Sequence, residues 1–327
     1  MPDLVTLANI RAAQERLAGV AVHTPLLPCI WAPGDGDLLL KPESLQPIGA
    51  FKIRGAYNKI AALTAQERER GLVASSSGNH AQAVAYAARL FGARATIVIP
   101  DAAPQHKVAA TKALGADVVL VPPAERDVAA RQLVKEHGQI LVPPYDDPEI
   151  IAGQGTVGAE IADDIAAAGL PAADLVLVPV SGGGLISGVA TAIKSLSPST
   201  RVVGVEPELA GDAAESFAGG QRVEWTPEQT YRTIADGLRT TSVGVHPWEH
   251  IQAHVDDIIT VSEDQIRAAM QVLAVRANVV AEPSGAAATA AYMFAREQLP
   301  PAATTVAVVS GGNVDPALLA DVLGQHY

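Results

Sequence analysis

Lys52 stands between Phe51 and Ile53 in the segment GAFKIRG, and it is one of only seven lysines in the chain. Apolar neighbours desolvate an ammonium and lower its pKa, which favours the neutral amine needed for Schiff-base chemistry. A second candidate is Ser181-Gly-Gly-Gly-Leu185, which follows the run DLVLVPV and leads into helical spacing. Consecutive glycines let a backbone approach an anion, and amides at a helix start point at it, so a phosphate is the natural ligand. A nicotinamide dinucleotide is the alternative for an oxidoreductase. Glu206 ends the next strand as a ribose-binding acid does, although Ser187 stands in the place of the third glycine. No Walker-type lysine follows the glycines, which argues against nucleotide hydrolysis. The turn Ser75-Ser-Ser-Gly-Asn-His80 offers hydroxyls and helix-start amides suited to a carboxylate, and Asn79 can donate to a phenolate-like oxygen. Ser310-Gly-Gly-Asn313 is a fourth polar turn. His80, like the other seven histidines, forms no metal-spaced cluster and reads as structural.

The elements that must position these turns alternate between strand and helix. Short apolar runs at Leu38–Lys41, Leu72–Ser75, Thr96–Ile99, Asp117–Val121, Ile140–Val142, Leu175–Val180, Arg201–Val205, Ile258–Val261 and Thr305–Val309 read as strands. Helical spacing occupies roughly 7–18, 51–63, 80–91, 105–114, 128–137, 155–168, 185–196, 263–276 and 284–296. Such alternation predicts parallel βαβ units and an α/β fold with two sheets, the units falling in two blocks that divide near residue 147. In open parallel sheets, ligands bind beyond the carboxyl ends of the strands, so the four turns are expected to converge on one crevice.

Composition agrees with that class. The chain has 327 residues, of which 49% are hydrophobic, 18% charged and 4% aromatic. Four Phe, three Trp and six Tyr cannot fill a core of that size, so Ala, Val, Ile and Leu must. A net charge of −12 argues against nucleic acid as a partner. The single Cys29 excludes an internal disulfide and a cysteine zinc site. The polar amphipathic start MPDLVTLANIRAAQERL and the lack of a ~20-residue apolar run predict a cytoplasmic protein without a membrane partner.

Taken together, KPESLQPIGAFKIRGA (41–56), SSSGNHAQAVAYAARLFGA (75–93), PYDDPEIIAGQGTVGAE (144–160), VPVSGGGLISG (178–188), TIADGL (233–238) and VVSGGNVD (308–315) resemble the fold-type II pyridoxal-phosphate enzymes. The resemblance is to the threonine/serine dehydratase and serine racemase branch, runs in the family's order and spans nearly the whole chain. It implies a two-domain, tryptophan-synthase-β-like fold with parallel-rich twisted sheets flanked by helices. Residues 1–64 and 153–327 would form a large pyridoxal-phosphate (PLP)-binding domain, and 65–152 a small mobile one. Lys52 would carry the cofactor as a Schiff base, with Phe51 beside the ring and Asn79 on its phenolic oxygen. Ser181, Gly182, Gly183, Gly184 and Leu185 would hold the phosphate, and Ser310 would meet the pyridine nitrogen.

The implied substrate is a small 3-hydroxy amino acid, L-threonine or L-serine, whose carboxylate Ser76, Ser77, Gly78, Asn79 and His80 would hold. The products would be a 2-oxo acid and ammonia. Ser77 stands where common biosynthetic dehydratases carry Ala and where serine racemases carry their second acid/base. This widens the implied activity to serine or aspartate racemisation, or dehydration of 3-hydroxyaspartate or phenylserine. Val142-Pro143-Pro144-Tyr145 departs from the family's usual His-Pro-Phe/Asn stretch. Arg126 would lie near the cleft, where it could meet a second substrate carboxylate. Glu206, Ala210 and Asp212 match the Mg²⁺ or Ca²⁺ site of the family's metal-activated members. An end at Tyr327 leaves no room for a regulatory C-terminal domain, which implies a catabolic enzyme, in this family a homodimer.

Overall fold

The computed structural model describes residues 4–34, 36–103 and 105–325; Tyr327 lies outside the described residues. Among them are ten strands: β1 (Leu27–Pro28), β2 (Asp37–Pro42), β3 (Leu72–Ser75), β4 (Ala95–Pro100), β5 (Asp117–Val121), β6 (Ile140–Leu141), β7 (Leu175–Pro179), β8 (Arg201–Pro207), β9 (Asp257–Val261) and β10 (Thr304–Val309). They form a six-stranded sheet, β1-β2-β10-β7-β8-β9, and a four-stranded sheet, β5-β4-β3-β6. Only β1, antiparallel to β2, departs from parallel pairing between these strands. The fold is therefore the mixed α/β architecture of parallel-rich sheets with flanking helices.

A division near residue 147 does not describe how the strands sort. β2 lies far ahead of that point, yet it pairs in register with β10, from Asp37 opposite Thr304 to Pro42 opposite Val309. The cause is burial: Leu38 and Leu40 join the core formed with the Pro283–Phe294 helix. The four-stranded sheet is drawn wholly from 72–141, between two stretches that build the larger one.

Strands covered on both faces read as continuous apolar runs, and β7 is such a strand. Leu175 and Leu177 face the core that includes the alanine-rich helix Pro283–Phe294. Val176 and Val178 face the core shared with the helices Pro148–Ala167 and Gly184–Leu196. Ala286, Ala287, Ala288, Ala290 and Ala291 are all fully buried, which lets that helix sit close to the sheet without aromatic side chains.

The helix Pro148–Ala167 begins about two turns ahead of the periodic signal at 155. Asp147 caps it, accepting from the Glu149 and Ile150 amides at 2.9 and 3.2 Å, and Pro148 occupies the first helical position. Its Gly153-x-Gly155-x-x-Gly158 has the spacing of a dinucleotide fingerprint but lies inside the helix and serves packing. A Cβ on Gly153 would lie 2.4 Å from the Arg54 carbonyl oxygen, and one on Gly158 2.7 Å from that of Val189. The helices Asp212–Gly219, Val245–His254 and Pro316–Gly324 were not signalled by periodicity.

Candidate active site

Lys52 is the first residue of the helix Lys52–Ala62. The segment ahead of it is pinned to the carboxyl end of β10: the Phe51 amide donates to the Ser310 carbonyl at 3.1 Å, and Ala50 bridges to Gly311. Lys52 Nζ donates to the Pro144 carbonyl at 2.7 Å and lies 5.0 Å from the centre of the Phe51 ring. Burial pulls the ammonium down to about 8, and no carboxylate pairs with it among the described residues. This is an amine held by a neutral acceptor, available to react.

The glycine turn lies where β7 passes into the helix Gly184–Leu196. Gly183, with φ 88°, takes a left-handed conformation that side chains rarely adopt, and so aims the helix-start amides into the crevice. The turn has no room for side chains. A Cβ on Gly182 would lie 2.3 Å from the Tyr145 ring, and one on Gly184 2.6 Å from Gln154 Oε1. That oxygen is buried without a partner, while Gln154 Nε2 donates to the same Pro144 carbonyl that Lys52 uses, at 3.3 Å. The Ser181 hydroxyl is held by Thr240 Oγ1 at 2.7 Å. Leu185 is buried in the core on the far side of the turn. These bare amides beside Lys52 fit a phosphorylated ring cofactor.

The serine turn follows β3 and opens the helix Asn79–Leu90 with Gly78 at its cap. Ser76 Oγ accepts from the Gly78 amide at 3.2 Å, and Ser77 is half-buried in the bend between them. Asn79 Nδ2 donates to Glu282 Oε1 at 2.6 Å, and its Oδ1 accepts from Asn313 Nδ2 at 2.8 Å. His80 departs from a substrate-holding role for its ring. Nε2 sits 2.8 Å from the Val142 carbonyl in the core, and burial, with the Lys52 charge nearby, pushes the ring down to about 3. Its backbone amide, at the helix start, remains available to an anion. Arg126 is not a free cation either: it ion-pairs with the adjacent Asp127 at 3.1 Å, and Asp127 also accepts from Ser75 at 2.7 Å.

Glu206 ends β8, and Asp212 opens the helix Asp212–Gly219; both carboxylates are completely buried, as is Ala210 between them. Glu206 Oε1 and both Asp212 carboxylate oxygens lack partners. Burial, and for Glu206 the Asp212 charge, raises both above the ordinary carboxylate range. Three orphaned acid oxygens suit a hard divalent cation. They also count against the dinucleotide alternative, because Glu206 is fully buried and its other oxygen accepts from the Ala214 amide at 2.9 Å, which leaves no exposed acid for a ribose hydroxyl.

Periodicity and composition did not single out Tyr145, Gln154, Thr240 or Glu282. Gln154 and Tyr145 lie in segments whose helical or loop character says nothing about facing a glycine turn. Glu282 carried a weak signal, an acid immediately ahead of Pro-Ser-Gly at a helix start.

The model of the family described as pyridoxal-phosphate dependent enzyme matches residues 20–311. The catabolic L-threonine dehydratase TdcB of Escherichia coli K12 is 42% identical over 98% of this chain and 96% of its own length. The L-threonine ammonia-lyase of Thermotoga maritima is 42% identical over 98% of this chain and 79% of its own. Among solved structures, a threonine deaminase from T.th. superposes with a TM-score of 0.89 at 44% identity, covering 95% of this chain and 99% of that one. Maize serine racemase superposes with a TM-score of 0.91 at 38% identity, covering 98% and 97%. With a buried lysine that has no carboxylate partner among the described residues, with a glycine turn opening a helix after β7, and with this likeness along almost its full length, the chain belongs to the pyridoxal-phosphate-dependent enzymes of fold type II.

Proposed function

We propose that this protein is a PLP-dependent ammonia-lyase that converts L-threonine or L-serine to the corresponding 2-oxo acid and ammonia. The observation that carries this is Lys52 Nζ: buried, lowered to about 8, and held by a neutral carbonyl beside the bare amides of Gly182–Leu185. Near-full-length relatives named for this activity support it.

When bound, PLP supplies the electron sink that makes a Cα proton of an amino acid acidic. Lys52 would hold the cofactor, and its amine, when free of it and neutral, is placed to accept the Cα proton as general base. The amides of Ser181–Leu185 would bind the phosphate, Phe51 would pack beside the ring, and Asn79 Nδ2 would donate to the phenolic oxygen. Ser310, a neutral side chain, would meet the ring nitrogen without forcing a proton onto it, which would favour elimination over transamination. Ser76, Ser77, Gly78, Asn79 and the His80 amide hold the substrate carboxylate by hydroxyls and helix-start N–H groups. Residues 65–152 form a small mobile domain against 1–64 with 153–327, and its movement closes water out of the crevice. Glu206, Asp212 and the Ala210 carbonyl would hold an activating Mg²⁺ or Ca²⁺. The enzyme is a cytoplasmic homodimer.

The test is direct. Purified protein given PLP is expected to show the visible absorbance of a lysine-bound pyridoxal and to release 2-oxo acid from L-threonine or L-serine. Lys52→Ala is expected to lose both; a band that survives in that variant, or none in the parent, overturns the proposal. Racemisation is a second reading, favoured by Ser77 in the bend beside the Asn79 helix. A panel that adds 3-hydroxyaspartate, phenylserine and both serine enantiomers separates it from dehydration.

A further inference from the structure

Glu282 is the last residue before the helix Pro283–Phe294, a cap position where Ser, Thr, Asp or Asn is the usual choice. Its side chain does not cap that helix. The carboxylate turns instead to Asn79, accepting from Nδ2 at 2.6 Å, and it is 5% exposed. Glycines make the approach possible. A Cβ on Gly311 would lie 2.4 Å from Glu282 Oε1, and one on Gly285 2.2 Å from the Gly311 carbonyl oxygen. The Glu282 amide donates to that same carbonyl at 3.1 Å, tying the acid to the turn after Ser310. Just upstream, the helix Glu263–Val272 ends in a wider turn, Leu273–Ala277, and Asn278 takes a left-handed φ of 55°. An unusual helix ending followed by a strained residue is costly, and here it delivers 279–282 to the crevice.

The hydrogen bonds around Asn79 have one consistent direction. Asn313 Nδ2 donates both to the Ile48 carbonyl at 2.8 Å and to Asn79 Oδ1 at 2.8 Å. A backbone carbonyl can only accept, so Asn313 presents its amide nitrogen to Asn79. Asn79 must then turn Oδ1 to Asn313 and Nδ2 to Glu282. One of the two Nδ2 hydrogens goes to the carboxylate and the other stays free. Without Glu282 the Asn79 amide loses the partner that holds Nδ2 in place.

We propose that Glu282 is a positioning residue for the reaction: its carboxylate holds Asn79 as a hydrogen-bond donor to the cofactor's phenolic oxygen and thereby sets the charge that oxygen carries. This rests on the proposed function above. Burial, with Asp236 adding to it, raises the Glu282 carboxyl to about 7, while Asn79 and Lys107 pull the other way. Ionised Glu282 accepts strongly from Asn79, and protonated Glu282 accepts weakly, so the donor is fully in place only above neutrality.

The test uses PLP-loaded parent, Glu282→Gln, Glu282→Ala and Lys52→Ala, with absorbance followed from about pH 6 to 9 and kinetics with L-threonine. In the parent, the balance of the visible bands is expected to shift through neutrality. Glu282→Gln keeps an acceptor but cannot ionise, so its bands are expected to stay in the parent's low-pH proportion at every pH. Glu282→Ala is expected to lower kcat about tenfold with a smaller change in KM, as loss of one hydrogen bond to a charged group does. Bands and kinetics in both variants that coincide with the parent overturn the inference and leave the lyase reading intact. A parent without a Lys52-dependent band overturns both. If Glu282→Ala does not fold by circular dichroism, the near-isosteric Glu282→Gln profile decides.

Discussion

A lysine lowered from its ordinary range to about 8 has a neutral fraction at pH 7 larger by more than two orders of magnitude, since each unit is tenfold. PLP capture by the metal- and cofactor-free protein needs that neutral amine. Its rate is therefore expected to rise with pH and level off above about 8, and stopped-flow absorbance measures it. A plateau delayed to the pH range of an exposed lysine would show that Lys52 is not desolvated in solution. Ser77 carries a separate expectation. Ser77→Ala should abolish interconversion of serine enantiomers while 2-oxo acid release from the L-substrate persists, as chiral chromatography beside an oxo-acid assay reads out. At Glu206 and Asp212 the sign of the pH effect follows from their raised pKa values. The folded protein keeps protons there that the unfolded chain has already lost, so stability present at acid pH declines as pH rises out of the carboxylate range. A cation bound there would replace those protons. Mg²⁺ or Ca²⁺ is expected to raise Tm more at pH 8 than at pH 6, and Asp212→Asn to cancel the difference; equal shifts at both pH values would count against the site.

At the scale of elements, the Lys52 helix is held by a buried ion cluster. Arg54 bonds Glu43 at 2.6 and 2.8 Å and Glu160 at 2.6 and 2.9 Å, and Lys41 reaches Glu160 at 2.7 Å. These groups join the segment after β2, the Lys52–Ala62 helix and the Pro148–Ala167 helix. Replacing one partner leaves opposite charges buried alone, so Arg54→Ala is expected to cost roughly 3–5 kcal/mol in urea unfolding. A cost under 1 kcal/mol would mean water enters the cluster readily. Helix crossings impose their own limit. A Cβ on Gly188 would lie 2.3 Å from the Ile151 carbonyl oxygen, whereas one on Gly219 meets nothing within 4 Å. Gly188→Ala is expected to lose about 1–3 kcal/mol by overpacking, and Gly219→Ala to stay within about 0.5 kcal/mol of the parent.

Across the whole molecule, the four-stranded sheet and its helices touch the larger sheet's loops at the site. Lys107, on the helix Gln105–Ala113, ion-pairs with Asp236 of the TIADGL segment, and Glu282 lies within the field of both. If the small domain moves as proposed, such a pair would hold it against the larger sheet's loops. Lys107→Ala is expected to raise KM for the amino acid and to quicken limited trypsin cleavage between residues 65 and 152. Unchanged cleavage would mean that other contacts hold the two parts together.

The amino-acid sequence by itself determined the strand–helix alternation, because burial on a parallel sheet writes its period locally. It also singled out candidate reactive residues: Lys52 in an apolar setting, glycines before a helix, and a serine-rich helix start are patterns that neighbours along the chain define. Local periodicity did not say which strands share a sheet. β2 joins β10 through side chains that meet only after folding. Tertiary structure alone showed that Gly153, Gly155 and Gly158 seat helices and that the Glu206 and Asp212 carboxylates are fully buried with unpartnered oxygens. The orientation of Asn79 was likewise out of reach, since Ile48, Asn313 and Glu282 come from three separate segments. Local residue patterns carry propensity and reactivity, whereas the direction of a hydrogen bond and the burial of a charge depend on what the rest of the chain places opposite them.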